Sequence, residues 1–132
     1  MLNTLIVEDN ASFRESLRRI LVKQFPSMKV EEAVNGEEAL EKVAGLQPDL
    51  VFMDIKLSDQ SGLELAKQIR SERPKIIIVI LTNYDLPEYQ EAACQCGADF
   101  FFSKDVSADD LVESVRHVLF QKGVNGNEPH GE

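Results

Sequence analysis

The chain has 132 residues, 43% hydrophobic and 28% charged, which suits one globular domain around one core and leaves little room for a second. With 23 acidic against 14 basic residues the formal net charge is −9, so the surface repels phosphate backbones and carries no polybasic segment for an anionic membrane. No apolar run reaches membrane-spanning length, and the N-terminus, MLNTLIVEDN, lacks the basic region and apolar stretch of a signal peptide. The expectation is a cytoplasmic location, with no membrane contact and no direct nucleic-acid contact.

Strand-like and helix-like segments alternate from the start. Leu5-Ile6-Val7 is a short apolar run with β-branched residues, and Phe13, Leu17, Ile20 and Leu21 then recur on one helical face. Met28 to Val34 reads as a second, weaker strand. Asn35-Gly36-Glu37-Glu38 opens a helix through Ala39, Leu40 and Val43, with Asn35 as N-cap and Glu38 in the reciprocal position. Pro48 introduces a third strand, Leu50 to Met53, and Ser61-Gly62-Leu63-Glu64 caps a helix carrying Leu65, Ala66 and Ile69. After Pro74, the run Ile76 to Leu81 is apolar on both faces, as an interior strand of a parallel sheet requires. Pro87 fits the first turn of a helix through Tyr89, Ala92, Ala93 and Cys96, which Gly97 stops. Phe100 to Phe102 make a fifth strand, and Ser107 to Asp110 open a last helix with Leu111, Val115, Val118 and Leu119 on one side.

Five βα units with continuous apolar strands predict a single α/β domain, a parallel sheet doubly wound with helices on both faces. Such sheets hold their ligand beyond the C-terminal strand ends. The domain is expected over residues 1–122, with 123–132, GVNGNEPHGE, as a flexible tail or linker stub. Cys94 and Cys96 are one residue apart, a poor zinc spacing, and read as small helix residues in a reducing compartment. His117 and His130 read as surface residues whose spacing offers no metal pair.

The polar residues at the strand ends carry the chemistry. The first strand ends in Glu8-Asp9, the third in Asp54, the fourth in Thr82, and the fifth, one residue late, in Lys104. In this fold they fall on one edge of the sheet. Carboxylates so close repel by a few kcal/mol per pair at an effective dielectric of about 20, and one lysine does not balance three of them. A divalent, oxygen-preferring cation does, with Mg²⁺ the cytosolic candidate. Lys104 and Thr82 then suit a second anionic group beside the metal, the first by charge and the second by a hydroxyl. Acids, metal, lysine and hydroxyl together describe phosphoryl transfer, with Asp54 the nucleophile. Taken singly, each residue has a plainer reading. Glu8-Asp9 serves a helix N-terminus, Thr82 ends a strand, and Lys104 is a solvated loop lysine. Tyr84, Leu86 and Tyr89 form a partner surface or cover the sheet.

These segments resemble the receiver domain of two-component response regulators, the CheY-like family, over residues 2 to about 121. LIVEDN is similar to the family's first strand with its acidic pair, VFMDIKLSDQSGLEL to the phosphoacceptor segment, ILTN to the hydroxyl position, and GADFFFSKD to the lysine segment. The resemblance implies a flavodoxin-like sheet in strand order 2-1-3-4-5. It implies that a sensor histidine kinase or phosphotransfer protein donates a phosphoryl group to Asp54. Mg²⁺ would be held by Asp9, Asp54 and the Lys56 backbone carbonyl, with Glu8 acting through water. Lys104 and Thr82 would grip the phosphoryl oxygens. Thr82 and Phe101 would form the switch that re-shapes a surface read by a downstream protein or a C-terminal output domain. The chain would be a phosphoacceptor rather than an enzyme, with at most self-phosphorylation from small donors and autodephosphorylation.

Some residues depart from the family pattern. Ser58-Asp59 stands where Pro-Gly is usual, which predicts a looser or differently shaped loop after Asp54. Asn83 replaces a small residue and is expected to crowd phosphoryl access, and Phe101 lacks a hydroxyl. Lys104 is followed by Asp105, an ending similar to the NarL/FixJ-type subfamily, whose members carry a helix-turn-helix output domain. The expectation is a stand-alone receiver or a fragment cut in the linker. Two rival readings remain. One is a phosphorylation-independent binding module. The other is a Mg²⁺-dependent small-molecule phosphatase, disfavoured because Lys56 stands where such enzymes place a second aspartate. A flavin carrier of this topology is disfavoured because Glu8-Asp9-Asn10 would repel the flavin phosphate.

Overall fold

The computed structural model describes residues 2–84 and 86–121. The expected tail at 123–132, with His130, lies outside the described residues. The elements, in chain order, are β1 (Leu2–Val7), α1 (Ala11–Gln24), β2 (Met28–Ala33), α2 (Gly36–Leu46), β3 (Leu50–Met53), α3 (Gly62–Glu72), β4 (Ile77–Thr82), α4 (Pro87–Gln95), β5 (Phe100–Ser103) and α5 (Ala108–Gln121). All strand pairs are parallel, and the sheet order is β2-β1-β3-β4-β5, as expected.

The apolar runs explain the layers. Every residue of β3 and β4 is buried, so both sheet faces need cover. Alternate side chains feed two separate cores. Phe52, Ile77, Val79 and Leu81 pack with Leu17 and Leu21 of α1 and with Leu111, Val115 and Val118 of α5. Val51, Met53, Ile78 and Ile80 pack with Val43 of α2, Leu65 and Ile69 of α3 and Ala93 of α4. The chain therefore winds in both directions from β1, and the switch in strand order lies between β1 and β3.

Local signals end the helices where expected. Asn10 accepts from the Phe13 N–H at 3.0 Å, Asn35 from the Glu38 N–H at 2.9 Å, Ser61 from the Leu63 N–H at 3.1 Å and Ser107 from the Asp110 N–H at 3.1 Å. Glu38 reciprocates one residue further out than the capping pattern predicts, accepting from the Val34 N–H at 2.9 Å. Gly97 follows α4 at φ 95°, a backbone that glycine adopts readily. At the N-terminal edge of the sheet, the Arg70 guanidinium donates to the Pro74, Ile76 and Gly97 carbonyls and to Asp99.

Several strand ends differ from expectation, and β5 runs on to Ser103. β1 begins at Leu2, because Asn3 and Thr4 pair in register with Lys29 and Val30 although they are polar. β4 begins at Ile77, because the Ile76 N–H turns to the Arg73 carbonyl. β2 stops at Ala33, and Val34 is exposed. Truncating a core side chain of β4 tests the packing. Ile78 has no exposed surface. Ile78→Ala is expected to lower the unfolding free energy by about 2–5 kcal/mol in urea titration, with the fold retained.

Candidate functional site

Three strand ends deliver one ion cluster. Glu8 follows β1 and keeps to the sheet, its N–H bonded to the Ala33 carbonyl at 3.0 Å. Asp54 follows β3, and Lys104 follows β5. The Lys104 Nζ lies 2.7 Å from Glu8 Oε1 and 2.7 Å from Asp54 Oδ2. All three side chains are buried, at 8%, 4% and 9% exposure for Lys104, Glu8 and Asp54. The free oxygen of each acid is also used. Asp54 Oδ1 accepts from the Ile55 N–H at 2.7 Å, and Glu8 Oε2 from the Asn10 N–H at 3.1 Å. The Lys104 backbone is fixed by its N–H to the Thr82 carbonyl at 2.9 Å.

The other predicted residues do not join this ion cluster. Thr82 is fully buried at the end of β4, and its Oγ1 accepts from the Tyr84 N–H at 3.2 Å. That bond uses a lone pair and leaves the hydroxyl proton its own direction. Asp9 is exposed beside the cluster. Two of the three expected carboxylates therefore meet the ammonium. Successive residues of an extended chain face opposite sides, so turning Glu8 inward turns Asp9 outward. Among the described residues, no group of three or more His, Cys, Asp and Glu side chains is gathered to hold a metal. Lys56 is exposed, pairs with Ser61 in an antiparallel bridge, and sets its Nζ 4.6 Å from the Tyr84 ring centroid. Phe101 is half-buried against the α2–α4 core, opposite Ile80. Asn83 is exposed. Tyr84 and Leu86 are exposed, whereas Tyr89 packs against the core with its ring 5.7 Å from that of Tyr84.

Sequence reasoning missed three supporting residues. Phe13 lies under the lysine, its ring centroid 4.7 Å from Nζ. Arg14 donates to the Glu8 carbonyl at 2.7 Å and to Glu32 at 2.8 Å, tying the acid's backbone to α1 and β2. Gly62 packs so closely behind Asp54 that a β-carbon there would overlap the Asp54 carbonyl oxygen. Its only sequence signal was its place after the Ser61 cap. The loop after Asp54 is also not loose. Asp59 anchors it to the start of α2, through the Gly36 N–H at 2.8 Å and the Glu37 N–H at 3.0 Å.

Burial and charge set the proton affinities. Burial raises the Glu8 carboxyl above its ordinary 4.5, and the hydrogen bonds from Lys104 and Asn10 only partly offset it. Burial alone would lower the Lys104 ammonium, but the hydrogen bonds and charges of Asp54 and Glu8 prevail and hold it above 10.5. Two buried acids thus share one cation, and one negative charge is left over.

Comparison with known proteins identifies the family. The family model of the response regulator receiver domain matches residues 4–116. The chain is 32% identical over 124 residues to the uncharacterized transcriptional regulatory protein YvfU of Bacillus subtilis, covering 94% of this chain and 62% of that protein. It is 36% identical over 115 residues to the response regulator MprA of Mycolicibacterium vanbaalenii, covering 87% of this chain and 49% of that one. Among solved structures, a CheY-like receiver domain protein from Methanospirillum hungatei superposes with a TM-score of 0.85 at 30% identity, covering 93% of this chain and 97% of that one. A DNA-binding response regulator of the LuxR family from Staphylococcus aureus superposes with a TM-score of 0.80 at 27% identity, covering 89% and 98%. The chain belongs to the response regulator receiver family of two-component systems. It spans about half to three-fifths of the length of the curated relatives it matches. Among the described residues, no helix is long and apolar enough to cross a membrane.

The raised Glu8 carboxyl has a signed consequence. As pH rises from 4.5, the unfolded chain gives up this proton before the folded one does, so folding loses stability until the raised native value is passed. Relative to Glu8→Gln, the wild type is expected to lose stability across that window in urea unfolding. A wild-type stability that stays flat or rises with pH relative to the variant contradicts the assignment.

Proposed function

We propose that this domain accepts a phosphoryl group on Asp54 from a sensor histidine kinase or phosphotransfer protein, in the presence of Mg²⁺. The observation that carries the reading is the placement of Asp54. It is a buried carboxylate at a strand end, with one oxygen oriented by a backbone N–H and the other held by a lysine that a second buried acid shares. An acid on a rigid strand is positioned for in-line attack, and phosphoryl transfer asks mostly for position and charge balance. The bond from Asp54 oxygen to phosphorus forms as the donor's phosphorus–nitrogen bond breaks, and the departing imidazole keeps the electron pair.

The donor set fits Mg²⁺. Receiver domains as a family bind this ion at the phosphorylation site. It takes one or two carboxylates, a carbonyl and waters, and the leftover negative charge favours it. Asp9 and Asp54 would ligate it, with Glu8 through water. The Lys56 carbonyl would be the third protein ligand. The Ile55 carbonyl and Leu57 N–H bond within the following turn, and alternation of carbonyls along extended backbone aims Lys56 the other way. Bound there, the ion would neutralise the acids and the incoming phosphoryl oxygens. Lys104 is within reach to exchange its carboxylate partner for a phosphoryl oxygen, and the Thr82 hydroxyl proton is free of the Tyr84 bond and available to donate. Drawing Thr82 inward would open space for Phe101 to rotate and change the surface of α4, β5 and α5. A downstream protein or C-terminal output domain would read that surface. The net charge of −9 argues that any DNA contact is made elsewhere.

Intact mass after incubation with acetyl phosphate tests the reading. One added phosphoryl group is expected on the wild type, dependent on Mg²⁺ and absent from Asp54→Asn. A wild type that stays unmodified at every quench time, or an adduct that persists in the variant, contradicts it.

A further inference from the structure

Asp59, where the family places glycine, makes a contact that the phosphoacceptor reading does not use. Residues 55–62 form a short hairpin directly behind Asp54. The Gly62 N–H bonds to the Ile55 carbonyl at 2.5 Å, Lys56 bridges to Ser61, and the Leu57 N–H closes the turn on the Gln60 carbonyl at 3.2 Å. Ser58 and Asp59 are the tip. Gln47 is the non-glycine residue at positive φ among the described residues, so this turn needs no left-handed backbone at Asp59. From the tip, the two Asp59 oxygens receive the first two N–H groups of α2, one each, at 2.8 and 3.0 Å. The two parallel bonds fix orientation as well as distance. The Gln60 side chain lies over Gly36 beside them.

Resting on the phosphoacceptor reading, we propose that Asp59 is a positioning residue that latches the hairpin to α2 and so holds the Lys56 carbonyl in place for the cation. The contact joins two elements, the start of α2 and the hairpin tip. Asn35 already caps α2, and Glu38 already bonds back to Val34. Asn35 serves the Glu38 N–H and leaves those of Gly36 and Glu37 to Asp59, so the two bonds that complete the helix start also tie the exposed tip to it. Proline would stiffen such a tip covalently by fixing φ, and Ser58 does not. The latch replaces that stiffness with two hydrogen bonds from a rigid helix. The Gly36 N–H, with that of Glu37, holds the Asp59 carboxyl below its ordinary 3.8 and so favours its charged, accepting form. Lys56 lies in the same hairpin, so freedom at the tip becomes freedom at the carbonyl.

The test measures Mg²⁺ affinity by calorimetry and backbone amide exchange on the wild type, Asp59→Ala, Asp59→Asn and the double variant Ser58→Pro with Asp59→Gly. Asp59→Ala is expected to weaken Mg²⁺ binding about tenfold, at the low end of what residues supporting metal ligands cost, and to speed exchange over residues 56–61. Asp59→Asn keeps one acceptor oxygen and should fall between. The double variant should recover affinity while the Gly36 and Glu37 amides stay fast, since it stiffens the turn without the latch. Unchanged affinity in Asp59→Ala, with faster exchange confined to Gly36 and Glu37, would make the contact a helix cap only and overturn the proposal. A wild type that binds no Mg²⁺ removes the parent reading and this role with it, and that failure shows before any variant is measured.

Discussion

One ammonium shared by two buried carboxylates governs the rest of the structure. Burying either acid alone would cost several kcal/mol, and removing one partner of such a cluster leaves a charge stranded in the core. The lysine makes the arrangement tolerable without making it neutral. Burial keeps the proton affinity of Glu8 raised, the Asp54 charge adding to it, and the two acids outnumber the one ammonium. The resting cluster is held together by its hydrogen bonds yet left under-compensated in charge.

The sheet order is what assembles these groups. Glu8 and Asp54 leave adjacent strands, whereas Lys104 leaves β5, two strands beyond β3 and so about 10 Å away. Only a long side chain spans that gap, and its backbone must be held at the far end. The Lys104 N–H to the Thr82 carbonyl provides that hold, and the Phe13 ring lies beneath the ammonium. Both cores serve the site, since α1 brings Phe13 and Arg14 from one side while α2 and α3 brace the Asp54 loop from the other.

Much of this was legible in the sequence because the informative patterns are local. Uninterrupted apolar runs at Leu50–Met53 and Ile77–Leu81 announce strands buried on both faces, and Asn35, Ser61, Pro87 and Gly97 mark helix ends within a few residues. Asn3 and Thr4 hid the start of β1, since polar residues in a paired strand look like a loop. The acids could not be ranked from sequence. Glu8 and Asp9 are neighbours of like charge, and only the direction of the chain as it leaves the sheet buries one and exposes the other. Long-range support was invisible for the same reason. The Asp59 contact joins residues 22 and 23 positions apart, and the closeness of Gly62 to Asp54 depends on how a turn folds back.

The most direct test of the central claim is ¹⁹F NMR of the domain with beryllofluoride and Mg²⁺, which forms a phosphoryl mimic that does not hydrolyse. If Asp54, Lys104 and the cation make one site, bound-fluoride resonances appear in the wild type only when Mg²⁺ is present. They vanish in Asp54→Asn and weaken strongly in Lys104→Met. No bound signal in the wild type, or a signal that survives the loss of Asp54, would contradict the account.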